Sequence, residues 1–342
     1  MKNKNSLLKY MLLPFFLLSV VSAQVPTYLN PNASIDNRVN DLLERMTLEE
    51  KIGQMTQADH NAISNLEDIN TYFLGSVLSG GGSDPANGNS ATNWADLNDL
   101  FQSKALATRL SIPLIYGIDA VHGHSNVEGA DIGLGATRNP ELMREMARVT
   151  AIEIAATGID WTFAPCVAVP RDERWGRTYE GFSENPELVA LLTSPTIEGL
   201  QNDSINSETS IVSCAKHFIG DGGTTNGYDQ GNTEMTEEEL RRIHLPGYIA
   251  AINSGARTIM ASYSSWNGDK LHGHKYLLTD VLKTELGFSG FIISDWAAID
   301  QIPGDYETDV EISINAGVDM VMVPNQYAVS YTHLTLPTIY SV

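Results

Sequence analysis

The chain has 342 residues, 42% of them hydrophobic and 18% charged, a composition that suits a folded globular protein and excludes a largely disordered one. Its formal net charge of −21 repels nucleic acid and anionic membrane surfaces, so neither is an expected partner, whereas a neutral ligand needs no basic steering. The length suffices for one barrel of alternating strands and helices or for two smaller domains.

Residues 1–23 read as a secretion signal: Lys2, Lys4 and Lys9 form a basic start, Met11 to Val21 is apolar, and Val21-Ser22-Ala23 offers small residues for cleavage. The apolar run is shorter than the ~20 residues a membrane-spanning helix requires, so the expectation is export to a secreted or periplasmic location with no membrane association after cleavage. A helix is expected from Asp36 to Met55, with Thr47-Leu-Glu-Glu50 as a capping box that restarts it. Short β-rich runs then alternate with amphipathic stretches. The runs are Leu74–Leu78, Pro113–Ile118, Ile159–Ala164, Val212–Phe218, Thr258–Tyr263, Phe291–Ser294 and Asp319–Val323. The stretches between them include 94–110, 140–157, 186–200, 237–254, 275–286 and 309–316. This order favours a parallel sheet covered by helices. A (β/α)8-type TIM barrel is the expected fold, its weak eighth strand sought near Ile132–Ala136, with an open doubly wound sheet as the alternative. The barrel is preferred because strand after strand runs into polar residues at its C-terminal end, the rim where barrel enzymes work. Gly80-Gly-Gly82 lacks the Lys of a phosphate loop, and no dinucleotide fingerprint follows the first run, so no cofactor is expected. The segment 325–342 carries no Lys, Arg, Asp or Glu and no helical period, and is expected to be an atypical tail from a truncation or an artificial junction.

Cys166 and Cys214 sit in apolar runs and read as buried free thiols in preference to a disulfide; they are too few for a zinc site, and no metal is expected. Asp295 ends an apolar strand, the position that presents a carboxylate to a barrel mouth, although an Asp there also caps a following helix. Trp296 beside it would stack on a sugar face or fill core. Lys216 and His217 end another strand, where they would donate to sugar hydroxyls, form a Schiff base through the lysine, or make a structural ion pair. In Arg171-Asp-Glu-Arg-Trp-Gly-Arg177, Arg177 is best placed to reach inward, against a surface cluster with Asp172, Glu173 and Glu180. Asp119 would accept two vicinal hydroxyls or cap a turn.

Together these segments resemble glycoside hydrolase family 3, in its secreted β-glucosidase and β-glucan exohydrolase branch. The match runs through Met46–Gln57, Leu78–Ser83, Tyr116–His124, Arg174–Arg177, Ala215–Phe218, Ser262–Gly268 and Ile293–Trp296. The resemblance implies a barrel domain over 24–324 and retaining, exo-acting hydrolysis of β-glucosides or β-glucan oligosaccharides. Asp295 would be the nucleophile, with Asp119, Arg177, Lys216, His217, Tyr263 and Trp296 lining the sugar site. The branch that takes its acid/base from a His after Lys-His is disfavoured, because Gly220–Asn232 contains none. In the glucosidase branch the acid/base is a Glu on a second domain, so no residue of this chain is assigned to that role, and a non-catalytic sugar-binding barrel fragment is the rival reading. Glu128–Thr137 is shorter than its counterpart in relatives. Pro170 and Thr178 stand where some plant relatives carry a disulfide.

Overall fold

A computed structural model describes residues 25–124, 131–202 and 204–334. The chain divides into two compact units, the first ending at Arg45. In that first unit the helix Ile35–Arg45 carries Asp41, which accepts from the Tyr28 backbone N–H at 3.0 Å and pairs with Arg45 one turn on at 2.8 Å. The expected signal segment lies outside the described residues.

The second unit starts at the expected capping box. The Thr47 hydroxyl accepts from the Glu50 N–H at 3.3 Å, the Glu50 carboxylate accepts from the Thr47 N–H at 2.9 Å, and the helix Leu48–Gln54 follows. Among the described residues eight strands of the central sheet come after it, apart from a small separate sheet of three two-residue strands: β1 Thr56–Asp59, β2 Ser76–Ser79, β3 Ile115–Ile118, β4 Trp161–Thr162, β5 Cys214–Phe218, β6 Thr258–Ala261, β7 Phe291–Ile293 and β8 Val321–Met322. β8, β1, β2, β3 and β4 pair in that order, and β5, β6 and β7 form a second parallel set. Both seams are bridged. At one, the Thr162 N–H donates to the Val212 carbonyl at 3.0 Å and Cys214 to Ala164 at 2.8 Å; at the other, Ser294 donates to Met320 at 2.9 Å. The strands therefore form a ring, the (β/α)8 arrangement.

The ring is filled by side chains. Leu78, Trp161, Phe163, Cys214, Met260, Ile293, Met320 and Met322 make one buried cluster, and the Trp161 indole N–H donates to Thr258 at 2.9 Å. Gly117 in β3 is required there, since a Cβ at that position would lie 2.6 Å from the Phe163 ring. Between strands and helices the packing is apolar, both aliphatic and aromatic, with Val189, Leu192, Tyr248, Val281 and Val310 buried on one side and Phe101, Tyr116 and Ile154 on another. Both cysteines are buried free thiols, as expected.

Three expectations are corrected. Residues 132–136 lie in a helix, Asp131–Ala136, where Gly135 lets the backbone approach the Phe182 carbonyl, at which a Cβ would sit only 1.8 Å away. The eighth strand is β1, placed directly after a helix. The segment 237–254 is two helices, Glu237–His244 and Pro246–Asn253, because Pro246 cannot continue the first. The stretch after Pro324, whose sequence shows no helical period, nonetheless forms a helix, Tyr327–Leu334, with Tyr327 donating to Asp68 at 2.7 Å and Ser330 fully buried. Contacts with the body of the unit, including edge-on stacking of Tyr327 and Tyr331 on Tyr72, override a local pattern with no helical period.

Candidate active site

The strands deliver most of the expected site residues to the C-terminal rim of the ring. Asp119 follows β3, Arg177 lies on the loop after β4, Lys216 and His217 are in β5, Tyr263 follows β6, and Asp295 and Trp296 follow β7. Neighbouring residues of a regular strand face opposite ways, yet Lys216 and His217 both reach the site. The pairing of β5 with β6 shifts register between Ala215 and Phe218, so the strand departs from regular alternation at these two residues.

Asp295 is held at both ends. Its backbone N–H donates to His272 Nε2 at 3.0 Å, and its Oδ1 accepts from the Trp296 N–H at 2.7 Å. Its Oδ2 is buried without a hydrogen-bond partner among the described residues and lies 3.6 Å from His217 Nε2. Burial pushes the Asp295 carboxyl up to about 6, against the opposing pull of the Trp296 N–H, Arg177 and Lys216. At neutral pH it is still mainly the carboxylate. His272 receives the Asp295 N–H and so carries its own proton on Nδ1; burial lowers it to about 3, which keeps it neutral.

Lys216 is buried and donates to Asp119 Oδ1 at 2.7 Å. Burial opposes its charge, but the Asp119 carboxylate more than restores it, so its pKa lies above the ordinary lysine value. A Schiff-base lysine needs the reverse, a depressed pKa, and the geometry speaks against that role. Arg177 turns inward, donating through Nε and Nη2 to the two oxygens of Glu180 at 2.8 and 2.7 Å, and through Nη2 to His217 Nε2 at 3.0 Å. The exposed pair expected of this segment is instead made by Arg174 and Asp172. His217 Nδ1 lies 2.8 Å from Asp221 Oδ2. A guanidinium can only donate, so Nε2 is the acceptor and Nδ1 carries the proton given to Asp221.

Tyr263 stands edge-on to His272, ring centres 6.1 Å apart, and its hydroxyl is pushed up first by burial and then by the charge of Asp295. Trp296 is 38% exposed and its ring lies over Gly80 on the loop after β2. The structure thus brings all seven expected residues to one rim. Three further ones, Glu180, Asp221 and His272, are not evident as site residues in the sequence. Glu180 reads there only as a surface partner of Arg177. Asp221 lies four residues after His217 in a glycine turn that reads as loop. His272, in Leu271–Gly273, has no sequence signal at all. Among the described residues one group could offer metal ligands, Cys166, His217 and Asp221, whose ligand atoms lie within 4.8 Å of one another.

An eight-stranded parallel ring with a carboxylate, paired cations and an aromatic face at its C-terminal rim defines a barrel of the glycoside hydrolase type. The chain belongs to glycosyl hydrolase family 3: residues 47–337 match the family's N-terminal domain. A periplasmic β-glucosidase of Salmonella typhimurium is 32% identical over 309 residues, covering 88% of this chain and 39% of that protein. A crystal structure of an exo-1,3/1,4-β-glucanase from a Pseudoalteromonas species superposes with a TM-score of 0.82 at 43% identity, over 90% of this chain and 40% of that one. A β-glucosidase from Listeria innocua, solved in complex with glucose, superposes with a TM-score of 0.78 at 30% identity, covering 88% of this chain and 44% of the other. The chain therefore spans about two fifths of the length of these relatives. The family match extends past Pro324, through the helix after it.

Proposed function

We propose that this chain is the nucleophile-bearing domain of a retaining, exo-acting hydrolase of β-glucosides or β-glucan oligosaccharides. What carries the reading is Asp295 Oδ2, a buried carboxylate oxygen at a strand end with no hydrogen-bond partner among the described residues. In this role Oδ2 attacks the anomeric carbon, the bond to the leaving oxygen breaks, and a glycosyl ester forms on Asp295. Water then attacks the same carbon and returns the carboxylate, so two inversions give net retention. Asp119, Lys216, Arg177 and Tyr263 hold the sugar hydroxyls, His217 lines the same site with its ring nitrogens given to Arg177 and Asp221, and Trp296 stacks on the neighbouring ring. The acid/base carboxyl is assigned to a Glu on a second domain, in keeping with relatives more than twice the length of this chain. Export to the periplasm or beyond belongs to the same reading, supported by the basic and apolar start of the sequence and by the periplasmic relative.

The test needs no acid catalyst. A 2-deoxy-2-fluoro-β-glucoside with a dinitrophenolate leaving group should add one fluoroglucosyl unit to the chain, located by peptide mass spectrometry at Asp295 and lost in D295A. Sugar binding without any adduct would overturn the nucleophile assignment and leave a sugar-binding barrel.

A further inference from the structure

Asp221 takes no part in the proposed mechanism, yet it is fixed as firmly as the residues that do. It sits in the tight turn Asp221–Gly223 between two glycines that the turn requires. Gly220 has φ +92°, and a Cβ on Gly222 would lie 2.6 Å from the Val169 carbonyl. The Gly220 carbonyl accepts from Thr233 Oγ1 at 2.7 Å, and the Gly222 carbonyl accepts from the Arg171 N–H at 2.7 Å. The turn is therefore pinned from two sides and carries a buried carboxylate to 2.8 Å from His217 Nδ1. The other nitrogen of the same ring faces Arg177 at 3.0 Å and Asp295 at 3.6 Å.

A metal ion shared by Cys166, His217 and Asp221 fits this cluster less well. The Arg177 guanidinium would stand one hydrogen bond from the coordinating imidazole, and burial keeps the Cys166 thiol protonated. The hydrogen-bond directions account for the arrangement without an ion. If His217 carried its proton on Nε2, that N–H would point at an N–H of Arg177, two donors face to face. With the proton on Nδ1 both hydrogen bonds of the ring, to Asp221 and from Arg177, are complementary, and Asp221 is the acceptor that makes this tautomer the stable one, although Nε2 then also faces Asp295 Oδ2 at 3.6 Å without a proton between them.

We propose that Asp221 is a positioning residue: its carboxylate holds the Nδ1 proton of His217, so that Nε2 remains an acceptor that steadies Arg177 beside Asp295. The arrangement has the logic of a carboxylate that fixes an imidazole's tautomer and direction from behind. Facing Asp221 are Arg177, Glu180 and Cys166 from the segment after β4, His217 from β5 and Tyr248 from the helix behind. The catalytic arm of the test rests on the function proposed above; the spectroscopic arm does not.

Nitrogen-15 spectra of the histidine side chains of the full chain, with His217 assigned through H217N, should show Nδ1 protonated at neutral pH. In D221L the proton should move to Nε2, and labelling of Asp295 by the fluoroglucoside should slow ~10–100-fold, the range seen when such supporting carboxylates are removed. D221N covers the case in which the apolar variant does not fold. It is isosteric, and its amide oxygen is a weaker acceptor, so the far-downfield Nδ1 proton resonance of His217 should shift upfield. The proposal is overturned if wild-type His217 is protonated on Nε2, if its resonances are unchanged in D221N, or if the chain binds one equivalent of zinc through this cluster. Should wild type show the Nδ1 tautomer but no labelling, the proposed function fails and the positioning role stands.

Discussion

Replacing Arg177 by Met should cost more stability than any other single change at the rim, and a second substitution should recover much of the loss. Arg177 makes two charge-assisted bonds to Glu180 and one bond to His217, with its side chain 27% exposed and that of Glu180 10% exposed. R177M keeps most of the aliphatic stem but strands a largely buried carboxylate. Breaking one partner of such a pair typically costs about 3–5 kcal/mol. The three bonds counted separately would give more, but they share one desolvated group and do not add. At about 2 °C per kcal/mol for a chain of this size, the melting temperature should fall by roughly 6–10 °C. E180Q removes the charge that R177M abandons, so R177M/E180Q should regain at least about half of the loss. Urea unfolding of the four proteins in the cycle, followed by tryptophan fluorescence, measures the coupling. If the double variant is as unstable as the sum of the singles, the pair is not coupled and the reading of Arg177 as an inward, pair-bound cation is wrong.

Acid should slow the labelling of Asp295. Only the carboxylate attacks, so with a pKa of about 6 the rate should rise with pH to a plateau near neutrality and stand roughly tenfold lower at pH 5, read from adduct mass against time; a rate flat from pH 5 to 7 would refute the shift. The same shift has a stability consequence of opposite sign. A carboxyl raised from 3.8 to about 6 on folding contributes stability that is present below 3.8 and lost as pH rises through 6, so D295N should unfold at higher urea than wild type at pH 7, by ~1–3 kcal/mol. His244 is buried, neither ring nitrogen has a hydrogen-bond partner among the described residues, and burial lowers it to about 3. Its contribution to stability is present above the ordinary histidine value and lost as pH falls from there toward 3. H244L should therefore stabilise the fold by ~1 kcal/mol at pH 7 and by ~1.4 kcal/mol more for each pH unit below 6.5, measured by denaturation at pH 7 and 5.5.

The rim is legible in the sequence because strand ends there are apolar runs stopped abruptly by ionisable residues, as in Phe291–Asp295 and Cys214–His217. β1 is not, for a physical reason. Its four residues, Thr-Gln-Ala-Asp, are all buried, yet three are polar. The Gln57 amide donates to Ser76 at 2.7 Å and Asp59 accepts from Ser83 at 2.8 Å, partners that appear only once the parallel pairing is known. A strand whose buried polar side chains bond to segments distant in the chain has neither the alternation nor the apolar run on which strand recognition depends. His272 is hidden in the same way. Its contact is with a backbone N–H 23 residues away, and no local pattern announces that.

The arrangement of acids around Asp295 explains why a single carboxylate can be the nucleophile while none beside it is assigned the second role. A retaining mechanism needs an acid/base carboxyl about 5–5.5 Å from the nucleophile, free to give up and regain a proton. Asp119 is engaged by Lys216, both oxygens of Glu180 by Arg177, and Asp221 by His217. Freeing any of them would abandon a buried or half-buried cation, or release the ring that steadies Arg177, at a cost of several kcal/mol, comparable to the whole gain from general acid catalysis. In a chain with 42 acidic residues the other carboxylates of the rim are therefore committed to holding cations and a tautomer in place. Asp295 differs from them in that no side chain bonds to its carboxylate among the described residues: it takes one hydrogen bond, from a backbone N–H, whereas an unpartnered buried oxygen is something it shares with Asp221. That distribution fits the division of labour proposed above, in which this barrel presents the nucleophile and a carboxyl on a second domain handles the proton.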